Sequence, residues 1–298
     1  MKGMNFPAWL APILLSALLL GVYDVTKKRA VSDNPVMPVL FLSNLCGTLF
    51  LMSGLALTGH LAAALNCTPG QWLLILGKAV IVASSWACVY YAMRELPISI
   101  ASPVRASAPL WVFLGGLVLF GEIPNGLQAV AMLAIFAGYY AFAVLGRLED
   151  IDWRRHRGIR AIFIGTLLGA GAALYDKYLL NVLKLDFLTV QCYFALNLVA
   201  VLGGFWGVYH LRGRQSRPFH WHWTIAVTGV LLIAADFCYF YAVSLPEIQI
   251  SILSLVRRSS CVVSFLIGAG LFRERHLRRK LAALVLILTG VILLALAR

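Results

Sequence analysis

Seven ionisable residues lie well inside apolar runs of this 298-residue chain: Asp24, Arg105, Asp176, Lys177, Asp236, Arg257 and Arg258, with Lys78 nearer the end of its run. On insertion scales a charge in hydrocarbon costs roughly 2.5–3.5 kcal/mol, so such residues mark ion pairs, pathways or ligand sites. Pairing of the acids with the bases would fix the arrangement of helices. The residues around the bases favour a ligand as well. Ser99, Ser102 and Arg105 share one face at helical spacing, and Ser251, Ser254 and Arg258 share another. A guanidinium presents a planar fork of donors that grips a carboxylate or phosphate at two points, and a neighbouring hydroxyl adds a third. The adjacent Arg257 and Arg258 would repel each other without acids or an anion between them. The candidate substrate-binding set is Arg105, Arg257, Arg258, Ser102, Ser254, Tyr23, Tyr175, Trp86 and Tyr90. Asp24, Asp176, Asp236 and Lys177 are candidates for a coupling or counter-ion role. Asp24 and Asp176 could take up protons or balance the Arg cluster.

Elements that could hold these residues follow from composition. Hydrophobic residues make up 61% of the chain and charged residues only 12%, against roughly 25% charged in soluble domains. The chain is long enough for ten membrane spans of about 20 residues each. Apolar windows and their polar breaks predict helices over 7–26, 36–59, 72–93, 97–120, 125–146, 159–181, 187–209, 222–243, 248–271 and 280–297. The breaks are turn-forming segments such as Ser32 to Pro35, Cys67 to Gly70 and Glu122 to Asn125. The polar stretch from Arg147 to Gly158 divides the helices five and five.

A repeat appears at a constant offset of 152 residues, which places Tyr23-Asp24 over Tyr175-Asp176, Arg105 over Arg257, Glu122 over Glu274 and Gly138 over Gly290. From Ser99 to Glu122 against Ser251 to Glu274, 12 of 24 positions are identical. Shared apolar composition would not align an Arg and a Glu. With an odd number of helices per unit, the second unit enters the membrane from the opposite side. The expected fold is therefore an all-α membrane protein of about ten transmembrane helices in a five-plus-five inverted repeat, with units at 1–150 and 151–298. Inverted repeats build many secondary transporters around a midplane site.

The helix count, the duplication and the run from Pro109 to Leu119-Phe120-Gly121-Glu122 resemble the EamA-type members of the drug/metabolite transporter superfamily. That resemblance covers nearly the whole chain and implies a carrier whose central cavity is lined by helices 1, 3, 4, 6, 8 and 9. In the second unit Cys261 stands in place of Pro109 and Arg273 in place of Gly121. Arg105 to Pro109 and Val256-Arg257-Arg258 also resemble two short segments of the sugar-phosphate/phosphate translocators. This local likeness implies that Arg105, Arg257 and Arg258 are phosphate ligands.

The leading expectation is a secondary transporter that moves a small organic anion or phosphorylated metabolite by alternating access. An amino-acid or other metabolite exporter, a lipid-linked phosphate flippase and a non-transporting membrane assembly subunit are the alternatives. No catalytic residue, cofactor or metal is expected. His210, His220 and His222 lack acidic or Cys companions, and the six Cys have no C-x-x-C spacing. Gly165-x-x-x-Gly169 reads as a helix-packing motif. The expected partners are a small-molecule substrate and the lipid bilayer, with no nucleic acid and no assigned oligomeric state. Although the net charge is +13, the basic residues sit between apolar runs, in a multi-pass protein placed in a bacterial inner membrane. Odd-numbered connections carry 17 Lys and Arg against 3 on the opposite side, which puts those connections in the cytoplasm. The family resemblance implies the reverse.

Overall fold

A computed structural model describes residues 7–31, 34–95, 104–105, 107–144, 157–211, 218–245, 249–260, 262–264, 266–267 and 277–296. Among the described residues the chain is helical, with no strand. A helix satisfies its own backbone donors and acceptors, which hydrocarbon cannot do. The main helices are α1 (Leu10–Val31), α2 (Val36–Leu57), α3 (Pro69–Glu95), α4 (Ala108–Phe120) and α5 (Gly126–Val144). They continue with α6 (Arg157–Lys177), α7 (Phe187–Leu211), α8 (Trp223–Ser244), α9 (Ile250–Arg258) and α10 (Leu277–Leu296). A single turn, Leu61–Ala64, separates α2 from α3, and the wider π turn Tyr178–Val182 prolongs α6.

Among the described residues six helices are long and apolar enough to cross a membrane: α1, α2, α3, α6 with its π turn, α7 and α8. Shorter apolar stretches occur in α4, α5 and α10. Outward-facing Leu14, Leu18, Leu49, Phe50, Val118 and Leu133 are exposed, a surface suited to lipid rather than water.

Local chemistry sets several helix ends. Pro109 sits in the first turn of α4, where its missing N–H deprives the helix of nothing. Gly121 ends α4 with φ of 64°, a left-handed conformation that glycine adopts at little cost. The Glu122 N–H then closes the turn on the Gly116 carbonyl at 3.2 Å. Asp186 caps α7 through the Thr189 N–H at 2.9 Å. His222 caps α8 by accepting from the Thr224 N–H at 3.3 Å.

Small residues let the helices approach closely. α2 crosses α8 at Gly47 and Gly229, where a Cβ on Gly229 would come within 1.8 Å of the Ser43 carbonyl oxygen. α6 meets α3 where Gly165 faces Ser85 and Cys88, and the Ser85 hydroxyl donates to the Gly165 carbonyl at 2.6 Å. α1 packs on α8, where Ser16 donates to the Ala235 carbonyl at 2.7 Å. α5 packs on α10, and α4 lies between α6 and α9.

The predicted helices over 97–120 and 248–271 are interrupted: α4 begins at Ala108 after a helical stretch at 104–105, and α9 ends at Arg258 with helix again at 260, 262–264 and 266–267. Much of the predicted remainder lies outside the described residues.

Candidate functional site

A cavity of about 400 Å³ lies among α1, α3, α4, α6, α8 and α9, with Phe194 of α7 also reaching it. These are the six helices that the family resemblance implied. Its lining carries five bases, Lys27, Lys78, Arg105, Arg257 and Arg258, and three acids, Asp24, Asp176 and Asp236. Aromatic and hydroxyl groups share the wall: Tyr23, Trp86, Tyr239, Phe240, Thr166 and Ser254. The volume suits a small metabolite.

Each acid has a basic partner. Asp176 Oδ1 lies 2.5 Å from Lys78 Nζ, with both side chains almost fully buried. Lys78 is sandwiched between two rings, its Nζ 4.0 Å from the centre of Phe194 and 3.6 Å from that of Phe240. The ring faces stabilise a cation that has no water around it. Asp236 pairs with Arg257, whose guanidinium carbon stands 4.0 Å over Tyr239. Asp24 lies 3.4 Å from Lys27 in a far more open setting, with side-chain exposures of 44% and 27%. The Arg258 Nη2 donates to the Arg105 carbonyl at 3.4 Å, so α9 meets the short helical stretch before α4.

Of the sequence candidates, Arg105, Arg257, Arg258, Ser254, Tyr23, Trp86, Asp24, Asp176 and Asp236 share this one cavity. Tyr175 is placed elsewhere, its hydroxyl donating to the Leu74 carbonyl at 3.2 Å and its ring stacked on Tyr178. Lys177 points away from the cavity and meets Glu122 at 2.5 Å. Tyr90 belongs to α3, but its side chain, like the whole of Ser102, lies outside the described residues. Asp24 and Asp176, equivalent in the repeat, do not pair with each other; each finds its own lysine.

Two residues mattered more than their sequence context suggested. Lys78, near the predicted start of its helix, is only 1% exposed, and its spacing to Asp176 gave no sign of contact. Glu122 looked like part of a packing motif, yet it is buried and receives four donors. A carboxylate within an otherwise apolar Leu-Phe-Gly-Glu run was the available signal. Among the described residues no group of three or more His, Cys, Asp or Glu could hold a metal ion. The described cysteines are free thiols.

A bundle of apolar helices around a charged cavity is the architecture of a multi-pass membrane protein that handles small molecules. Residues 7–144 match the model of the EamA-like transporter family. The first part of the chain is thus similar to an EamA-type unit, and this similarity supports a membrane transporter of the drug/metabolite kind. A solved crystal structure, titled only as that of a protein, shares the fold with a TM-score of 0.76 at 16% identity, covering 98% of each chain. A comparison with curated proteins gives no match.

Proposed function

We propose that the protein is a secondary transporter that carries a small organic anion, with phosphorylated metabolites the favoured class, by alternating access. Arg105, Arg257 and Arg258 bind the anion, and Ser254 supplies a hydroxyl. The observation that carries this reading is the excess of base in one cavity: five cations against three carboxylates among its described lining residues. An anion that brings two negative charges balances that excess. Arg105 reaches the cavity from the first unit and Arg257 and Arg258 from the second, so one ligand touches both.

The proposed frame is the five-plus-five inverted repeat with units 1–150 and 151–298. Reciprocal packing supports it, because α1 lies on α8 while α6, its counterpart at the 152-residue offset, lies on α3, the counterpart of α8. A two-fold relation generates such pairs, and movement of the helices around a central site exposes it to each side in turn. A cavity lined by so many charged residues also counts against an assembly subunit, which has no need of one.

A second reading, an exporter of amino acids or similar zwitterions, draws support from Asp24. Its half-open carboxylate shares the cavity with Arg105 and could hold an ammonium while the guanidinium holds a carboxylate.

Thermal unfolding of the purified protein in the presence of phosphorylated metabolites, amino acids and polyamines separates these readings. Phosphorylated compounds are expected to raise the melting temperature. Arg105→Gln should weaken that response ten- to a hundred-fold in ligand concentration, since a charge-assisted bond contributes about 1.5–3 kcal/mol. The unliganded melting temperature should barely move. Stabilisation by polyamines alone, or an unaltered anion response in the variant, would overturn the anion reading.

A further inference from the structure

We infer that Glu122 and Lys177 form a gate that shuts the cavity at the end opposite its mouth. The inference rests on the transporter reading above, but not on the identity of the substrate.

Helix pairings define the two ends of the cavity. α3 and α6 run in opposite directions, since Ser85 meets Gly165 at one level while Leu74 meets Tyr175 at another. α4 and α9 also oppose each other. The end of α9 reaches Arg105 just before α4, whereas its start reaches Glu122 just after α4. Lining residues occupy one end of this frame. On α4 they stop at Val112, on α6 they stop at Asp176, and on α9 they begin at Ser254. Glu122, Lys177 and the Ile250-Ser251 start of α9 all lie past those limits, on the same side. Exposure follows the same direction, falling from 44% for the Asp24 side chain to 1% for that of Lys78. The mouth is therefore at the level of Asp24 and Arg105, and the blocked end lies beyond Lys78 and Asp176.

At the blocked end one carboxylate draws three helices together. Glu122 Oε1 accepts from Lys177 Nζ at 2.5 Å and from the Ile250 N–H at 2.7 Å. Its Oε2 accepts from the Ser251 hydroxyl at 3.0 Å and the Ser251 N–H at 3.3 Å. The first amides of a helix are orphan donors at its positive end, so a buried carboxylate is well placed there. Gln249 at the N-cap makes no side-chain capping bond of its own. The surroundings are fitted to the carboxylate. A Cβ on Gly116 would come to 2.7 Å from Oε2, and Gly121 turns the chain so that Glu122 folds back over α4. Lys177 also lies 5.2 Å from the centre of the Phe120 ring.

The backbone bonds and the ion pair do different things. The bonds to Ile250 and Ser251 tie α9 to the end of α4, and both helices can move as one. The bond to Lys177 ties that pair to α6. For the cavity to open at this end α6 must part from α4 and α9, so the Glu122 to Lys177 contact has to break. Its strength biases the equilibrium between the two open states.

The test places one reporter thiol, Val82→Cys on the cavity wall of α3, in a chain whose six native cysteines are replaced. Membrane vesicles of both orientations are then exposed to a membrane-impermeant maleimide. With Glu122 and Lys177 intact, labelling is expected from a single face, the one at the level of Asp24. Lys177→Met should add labelling from the other face, at a rate at least tenfold above the parent, and Glu122→Gln should do the same. Lys177→Met keeps both capping bonds to α9, so it decides the matter if Glu122→Gln fails to fold. Single-face labelling at the parent rate in Lys177→Met would overturn the gate while leaving the transporter reading intact. Absence of labelling from either face in the parent would sink both.

Discussion

Asp24 and Asp176 align at the 152-residue sequence offset, each following a tyrosine, yet their surroundings have little in common. Asp24 faces Lys27 across 3.4 Å near the mouth of the cavity, with nearly half its side chain open. Asp176 holds Lys78 at 2.5 Å in a site that admits almost no solvent. Two aligned acids thus serve an accessible pair and a buried one. The cause lies in the partner, since Lys27 is on the same helix one turn away while Lys78 comes from α3 and is clamped by Phe194 and Phe240.

The largest expected effect tests the sealed pair. Lys78→Met leaves the Asp176 carboxylate buried without its cation and should cost about 3–5 kcal/mol of stability, as removal of one partner of a buried pair does. It should appear as loss of monodisperse protein in size-exclusion chromatography and as a lower melting temperature. Adding Asp176→Leu should restore much of the loss, because apolar groups of similar volume replace buried pairs well. If the double variant is as damaged as the single, burial is not the cause.

Arg257→Gln is expected to be intermediate. Its partner Asp236 keeps some solvent, with side-chain exposures of 22% for Arg257 and 14% for Asp236, and the stacking on Tyr239 is lost as well. A decrease of about 1–3 kcal/mol is expected, read as a modest fall in melting temperature together with loss of the response to anions. Asp24→Asn should have the smallest effect on stability, about 0.2–1 kcal/mol, as for an exposed pair. It should also be the most sensitive to salt, since solvent and ions reach it. A drop in stability as large as that of Lys78→Met would erase the contrast between mouth and interior.

Much of this contrast could not be seen in one dimension. The apolar periods located α2, α7 and α8 to within a few residues, because their ends carry clear polar punctuation. α1 runs to Val31 rather than stopping near residue 26, since Lys27 and Arg29 can extend toward polar surroundings without ending the helix. The π turn after Lys177 left no sequence signal, as it depends on how the backbone closes over Leu183 and Leu185. Charges within apolar helices marked Asp24, Arg105, Asp236 and Arg257, and the structure brings these four to one cavity. Depth along a helix and the identity of a distant partner were the missing quantities. Lys78 lies nearer the end of its apolar run, yet it packs against α6 and two aromatic rings. Tyr175 aligns with Tyr23 at the 152-residue offset, but its hydroxyl donates to a carbonyl on α3.

The pairing of Lys78 with Asp176 also constrains how the protein is made. Ribosomes deliver α3 to the bilayer well before α6, and during that interval Lys78 is an ammonium with no carboxylate from α6 to meet it. Insertion scales put the penalty for such a residue at roughly 2.5–3.5 kcal/mol, which the apolar remainder of α3 must outweigh. The nascent N-terminal portion is thus held in a provisional state, and synthesis of Asp176, almost a hundred residues later, converts a liability of insertion into a fastening that reports the arrival of α6.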